Sequence, residues 1–355
     1  MYTSKTRTLD LKIKLKFWKI ILIKLRTYEN VHTRCFSTDV IGSCAFGLEC
    51  NSFKDPDSPF RTYGKRVFVS TNFDILNFPN LAKTLGVCLT PSPVSNFFYK
   101  LAEDTVEYRE KNKVVRNDFV QLLLELKNNN EGNASNDQPG DGTSLTMDEL
   151  AAQCFIFFLA GFETSSTTMT FTLFELATHP DIQDKVREEI ESVLARHEDK
   201  MTYDSLSELK YMKQVIDEAL RKYPPVPFVN RQCVKDYKLP GEDVIVEKGT
   251  SVFIPIKGIH YDEEYYENPE VFDPERFTEE NKRRRHKFTH LPFGEGPRIC
   301  IGERFGIMQV KVGLTSILRK FRVKVNKKTK VPLKMDPDSF ISSTLGSIWL
   351  DVEKL

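Results

Sequence analysis

The chain has 355 residues, 40% of them apolar and 11% aromatic, so it can bury a large core and is longer than one small domain requires. Its 51 lysines and arginines nearly cancel 50 aspartates and glutamates, leaving +1, which removes any global electrostatic case for nucleic acid as a partner. The seven cysteines (Cys35, Cys44, Cys50, Cys88, Cys154, Cys233 and Cys300) are odd in number and form no Cys-x-x-Cys pair, which argues against a zinc ribbon or a disulfide framework and for reduced thiols.

Residues 1–32 read as a divergent leader, and 33–355 as one domain. In the leader Leu11, Lys12, Ile13, Lys14, Leu15, Lys16 and Phe17 alternate apolar and charged, a period that suits a half-buried strand. Lysines break every apolar stretch there, so it does not resemble a signal peptide. The apolar runs 17–25 and 154–162 fall short of the roughly 18 to 20 residues that a spanning helix needs. A turn cluster occupies 54–59, a helix is predicted over 96–111, and the Asn-, Gly-, Asp- and Ser-rich stretch 128–144 reads as an exposed flexible loop.

Thr146 with Glu149 then forms a capping box before a long apolar run, predicting a helix that continues to Thr178, where His179-Pro180 ends it. Such a helix would be about 48 Å long and buried at the centre of the domain. A second helix starts at Pro180 and turns Ile182, Val186, Ile190, Val193 and Leu194 inward. A third is predicted over 207–223, with Leu209, Met212, Ile216, Ala219/Leu220 and Tyr223 inward and Pro224-Pro225 as its stop. Short strands follow at 244–246 and 251–256, then an irregular stretch over 262–293 punctuated by Pro269, Pro274 and Pro292. A last helix after Cys300 and hairpin strands at 321–325 and 347–352 complete a mainly α fold with small β-sheets, not a doubly wound parallel one.

Phe293-Gly294-Glu295-Gly296-Pro297-Arg298-Ile299-Cys300-Ile301-Gly302 fits F-x-x-G-x-R-x-C-x-G. It resembles the loop that supplies the proximal thiolate of the cytochromes P450, haem-thiolate monooxygenases. The resemblance implies that Cys300 is the iron ligand, an anionic sulfur that pushes electron density toward the opposite face of the haem. Glycines such as Gly294 and Gly302 let backbone approach the porphyrin and aim N–H groups at the sulfur. Phe293 would shield the thiolate from water, and Arg298 would hold a haem propionate. Without the resemblance, the same letters are a Gly/Pro-rich turn with an incidental cysteine.

Inside the long helix, Ala160-Gly161-Phe162-Glu163-Thr164 is similar to the family's oxygen-activating motif. Gly161 would let the helix open a groove for dioxygen, Thr164 would donate its hydroxyl there, and Glu163 would feed protons. The plainer alternative is a threonine bonded back to a helix carbonyl beside a solvated glutamate. Glu218 and Arg221, three apart on one face, match the family's Glu-x-x-Arg pair. In the family that pair locks onto an arginine, here Arg276 within Pro274-Glu275-Arg276-Phe277, in a structural role. Arg231, after Val226-Pro227-Phe228-Val229-Asn230, matches a second propionate-binding arginine, and 227–229 would face substrate. The basic run 282–287 suits a solvated loop, a nuclear signal or the docking face for an acidic reductase.

From about Thr33 the order of motifs looks like an insect detoxification P450 of microsomes, with the phrase 37–47 especially close. The resemblance implies an O2-dependent monooxygenase acting on a lipophilic small molecule. It implies electrons from a separate NADPH-cytochrome reductase, since this chain has no nucleotide-binding glycine fingerprint. It implies too that the full-length form associates with the endoplasmic reticulum membrane, and that an anchor, early strands and helices, and a Trp/Arg helix for the propionates are expected beyond what this chain carries. A truncated, non-catalytic fragment of such an enzyme is the alternative expectation.

Overall fold

The computed structural model describes residues 27–29, 31–55, 57–70, 84, 90–128 and 145–355. The alternating run 11–17 and the polar stretch 129–144 lie outside them. The chain divides into two compact units, residues 1–25 with 29–166 and residues 26–28 with 167–355, and the division falls inside the longest helix.

In the first unit α1 (Val31–Ile41) runs on into a wider π-helical turn over Gly42–Phe46. Gly47 stops it at φ 70°, a left-handed conformation in which its N–H reaches back to Gly42 and Ser43 carbonyls. A Cβ at this position would also stand 2.6 Å from the Arg116 guanidinium. That crowding comes from a buried ion pair: Arg109 grips Asp118 through two 2.7 Å bonds and donates a third to the Phe46 carbonyl at 3.0 Å. Helices α2 (Pro59–Ser70), α3 (Ser92–Asn112) and α4 (Phe119–Asn128) follow. The predicted 96–111 helix thus starts a turn earlier, with Pro93 near its first position, where a missing N–H costs nothing.

Helix α5 (Met147–Thr178) has the predicted bounds, and its capping box is present: the Thr146 N–H donates to Glu149 Oε2 at 2.9 Å and the Glu149 N–H to Thr146 Oγ1 at 3.2 Å. Its first half packs into an aromatic cluster, with the Phe158 ring 4.6 Å from Phe60 and 4.8 Å from Phe98. Gly64 on α2 permits that approach, since a Cβ there would come 2.8 Å from the Phe158 ring.

In the second unit α6 (Pro180–Arg196) buries the predicted stripe Ile182, Val186, Ile190, Val193 and Leu194. The helix expected over 207–223 is α8 (Lys210–Lys222), which starts three residues later, and a separate short helix α7 (Tyr203–Ser207), opened by a Thr202–Ser205 capping box, precedes it. The start of α8 is set by Glu189 of α6, whose carboxylate takes the Tyr211 and Met212 N–H groups at 2.7 and 2.8 Å and so caps α8 from another helix, which no local pattern could announce. Strands β2 (Val229–Gln232) and β5 (Ser251–Ile254) pair antiparallel, as do β3 (Tyr237–Lys238) and β4 (Ile245–Val246). The predicted strand 251–256 ends at Ile254, and Pro255 starts a short helix α9 (Ile256–His260). The stretch expected to be irregular holds a 3-10 turn over Pro274–Phe277 and α10 (Glu279–Arg284). Helix α11 (Glu303–Leu318) leads into β6 (Phe321–Val325), which pairs antiparallel with β7 (Trp349–Lys354), and β1 (Thr27–Glu29) lies on the other side of β7. Among the described residues no helix is long and apolar enough to cross a membrane.

Candidate haem-binding site

The cysteine loop is built as a folded-back turn. The Gly294 N–H donates to the Leu291 carbonyl at 3.0 Å, the Ile299 N–H to Gly296 at 3.0 Å, and the Cys300 N–H to the Phe293 carbonyl at 2.8 Å. Gly294 and Gly296 sit at φ 71° and 78°, where a side chain would strain the backbone, so these two glycines set the shape of the loop. Gly302, by contrast, has φ −90° and serves as the N-cap of α11, with its N–H bonded to the Cys300 sulfur. Partial burial pushes the Cys300 thiol up from its ordinary value, the Gly302 bond pulls it down and Glu303 adds a smaller push up.

The sulfur is exposed, and so are the apolar side chains beside it, Ile299 at 44% and Ile301 at 98%. Exposed Ile side chains around a thiol are costly unless a large apolar body covers them. Arg231, half-buried on β2, turns its guanidinium to the loop: its Nη2 lies 3.9 Å from where a Cβ on Gly294 would stand. Arg298 is exposed at the end of the 3-10 turn Gly296–Arg298. Phe293 is half-buried. A soft sulfur donor, two exposed isoleucines and two guanidiniums fit haem, a flat apolar ring with a metal at its centre and carboxylates at one edge.

Behind the loop lies a closed polar network. Glu218 and Arg221 on α8 are both 0% exposed and joined by two parallel bonds, Nε to Oε2 at 2.7 Å and Nη2 to Oε1 at 2.8 Å. Two further guanidinium hydrogens go to the His260 carbonyl at 2.9 Å and the Pro269 carbonyl at 2.7 Å, and the Asp273 N–H donates to Glu218 at 3.0 Å. Burial pushes the Glu218 carboxyl up while Arg221 holds it down, and a guanidinium that never deprotonates keeps its partner ionised at neutral pH. Arg276 stands 3.6 Å from Glu218 Oε1, an ion-pair distance, and spends its Nη2 hydrogen on the Asn268 carbonyl at 3.0 Å.

The acid and alcohol of α5 belong to the first unit. Glu163 is paired at 2.7 Å with Arg34 of α1, a residue that sequence reasoning missed because nothing in the local text around it differs from an ordinary helix. Thr164 donates its hydroxyl to the Ala160 carbonyl at 2.6 Å, the back-bonded arrangement of a helical threonine. The groove expected at Gly161 is occupied: the helix runs through it unbroken, and a Cβ there would stand 2.5 Å from Ile41 Cδ1, so the glycine admits a neighbouring side chain. Ile156, Ala160 and Thr164, four apart, form the stripe of α5 that keeps exposure.

The basic run is sorted by the fold. Lys282 reaches Asp217 at 3.3 Å, and Arg285 lies over Tyr266, 4.5 Å from the ring centroid, while donating to the Arg276 carbonyl at 2.6 Å. Arg283, Arg284, His286 and Lys287 stay exposed.

Comparisons with known proteins identify the family. The cytochrome P450 family model matches residues 30–349. The chain is 46% identical to cytochrome P450 6a2 of Drosophila melanogaster over 90% of its own length, and 43% identical to cytochrome P450 6k1 of Blattella germanica over 91%. It spans 64% of the length of each of these relatives. With the motif order, the mainly helical fold and the cysteine loop in one chain, this protein belongs to the cytochrome P450 family of haem proteins.

Proposed function

We propose that Cys300 is the proximal haem ligand and that the protein is a monooxygenase inserting one oxygen atom from O2 into a lipophilic small molecule. The observation that carries this is the loop itself: an exposed cysteine between two exposed isoleucines, with the Arg231 guanidinium beside Gly294. Bound haem supplies the oxygen-activating chemistry. The chain's own residues supply the rest. Arg231 and Arg298 hold the carboxylate edge, the Gly302 N–H tempers the charge on the sulfur, and Phe293 limits water around it. On α5 the exposed stripe of Ile156, Ala160 and Thr164 offers apolar wall and one hydroxyl, and Glu163 holds a proton-exchanging carboxylate steadied by Arg34. A lipophilic substrate follows from the resemblance to the family's detoxification members.

Electrons come from NADPH through a separate cytochrome reductase, with the exposed Arg283, Arg284 and Lys287 as its electrostatic landing site. The endoplasmic reticulum membrane, the compartment implied for microsomal members, is the proposed location.

The test is spectroscopic. The expressed chain is supplied with haem, reduced under carbon monoxide, and scanned for the red-shifted Soret band of a thiolate-ligated ferrous complex. The band is expected in the wild type and absent in Cys300→Ala; its persistence in that variant overturns the ligand assignment.

A further inference from the structure

We propose that His260 is the positioning residue through which the Glu218–Arg221 clamp sets the cysteine loop, acting as a neutral imidazole with its proton fixed on Nδ1. No motif named it, and it lies on α9 outside the loop, the clamp and the α5 turn.

The side chain is 0% exposed and bonded at both nitrogens. Nδ1 is 3.0 Å from the Arg221 carbonyl, which can only accept, so Nδ1 carries the hydrogen. Nε2 is 3.0 Å from the Leu291 N–H, which can only donate, so Nε2 offers a lone pair. The two partners therefore dictate the tautomer. They also exclude the imidazolium, whose second hydrogen would point at the Leu291 N–H.

Each partner belongs to a different part of the machinery. Toward the clamp, the contact is doubled: Arg221 donates from Nη1 to the His260 carbonyl at 2.9 Å, and His260 returns a bond to the Arg221 carbonyl. Toward the loop, Leu291 accepts from Gly294, whose neighbour Phe293 accepts from Cys300. A route of hydrogen bonds and peptide units thus runs from a buried carboxylate to the backbone of the cysteine, with His260 as the side chain between Arg221 and Leu291, while the stacked His290 bonds the Asp217 carbonyl of α8 separately at 3.2 Å.

Most groups facing the ring oppose its protonation. Burial is the largest cause and lowers its pKa to about 3, and His290, stacked 5.4 Å away, comes next; the bond to the Arg221 carbonyl acts the other way, ahead of the smaller lowering by the Arg221 and Arg285 charges. Tyr266 meets the ring edge-on at 6.4 Å. The imidazole is thereby held as one fixed donor and one fixed acceptor through the whole physiological range.

The chemical consequence for haem rests on the reading of Cys300 as ligand; the mechanical role does not, and two amide isosteres separate them. In His260→Asn the amide nitrogen replaces Nδ1 and can still donate to Arg221, but nothing reaches Leu291. In His260→Gln the amide oxygen replaces Nε2 and can still accept from Leu291. Hydrogen exchange of the haem-free chain is the first readout. The Leu291, Gly294 and Cys300 amides should exchange about tenfold faster in H260N and within about twofold of wild type in H260Q, with α8 equally protected in all three.

Equal behaviour of the two variants in the loop, or loss of α8 protection along with it, overturns the proposal, because either result makes His260 ordinary core. The second readout is the carbon monoxide complex after haem loading. H260N should show a larger share of non-thiolate species and H260Q should not. If wild type itself lacks the thiolate band, the ligand assignment falls while the exchange result still decides the role of His260.

Discussion

The Glu218–Arg221 clamp and the cysteine loop are joined through one imidazole, yet they are built on opposite principles. In the clamp both charged side chains are 0% exposed, and the carboxylate and guanidinium meet through two parallel bonds backed by backbone partners. In the loop the sulfur and the isoleucine beside it are exposed, and the hydrogen bonds are almost wholly backbone to backbone. On the proposed reading, the residues that meet haem are left with energy still to be gained, while the Glu218–Arg221 pair that backs them is already joined by charge-assisted bonds, with Arg276 Nε at ion-pair distance only.

The sharpest way to break that comparison is to remove one side of the clamp. Glu218→Ala leaves the Arg221 guanidinium buried and uncompensated, which costs about 3–5 kcal/mol. Urea unfolding of the haem-free chain should record that loss, or the variant should fail to accumulate folded. A cost below about 1 kcal/mol would mean that water already reaches the pair and the clamp is no more closed than the loop.

The next effect is a pH dependence. His260 has its folded pKa depressed to about 3, below the ordinary value of 6.5, so the unfolded chain takes up a proton first as pH falls. Its contribution to stability is whole above pH 6.5, begins to be lost below it, and is gone as pH passes through about 3. In that window the slope approaches about 1.4 kcal/mol per pH unit for this one group. Replacing His260 by Gln removes the titrating ring, so the stability curve of H260Q between pH 6.5 and 5 should be flatter than that of the wild type. Parallel curves would place the imidazole in contact with solvent.

The two regions also differ in how far they could be read from the letters. The shape of the cysteine loop was legible because it depends on residue types at fixed spacing, above all two glycines at positive φ within ten positions. The capping box at Thr146 and the stop at Pro180 were legible for a similar reason, since capping is a local matter of two or three residues. What escaped was everything decided by a partner far along the chain. Glu189 caps α8 from α6 and fixes a start that periodicity places three residues earlier. Arg34 meets Glu163 across 129 positions of sequence, and His260 joins Arg221 to Leu291 across 39 and 31. Gly161 announced a special place in α5, but whether the space it leaves holds a ligand or Ile41 was not written near it.

A smaller effect sharpens the contrast from the side of exposed polar groups. Thr146 begins α5 at the surface, and its side chain and Glu149 satisfy each other's N–H groups. Thr146→Ala should cost about 1 kcal/mol in the same urea assay, and Thr146→Ser close to nothing. An exposed group can therefore matter to stability when it satisfies a helix end.

Cys300 satisfies no such need in the haem-free chain, so the smallest effect should be the most informative. Its sulfur accepts one bond, from the Gly302 N–H at the start of α11, and water can take that place when the side chain is shortened. No core is emptied by Cys300→Ala, since the thiol is exposed, and the loop's own backbone bonds do not involve the sulfur. The urea midpoint of the haem-free variant should stay within about 0.5 kcal/mol of wild type. With haem present the balance should reverse: ligand bound only by the folded state adds stability to the wild type, and the variant should lose that gain together with the thiolate band. A loss of 2 kcal/mol or more in the haem-free chain would instead place the sulfur among the groups that hold the fold, and the division between clamp and loop would no longer stand.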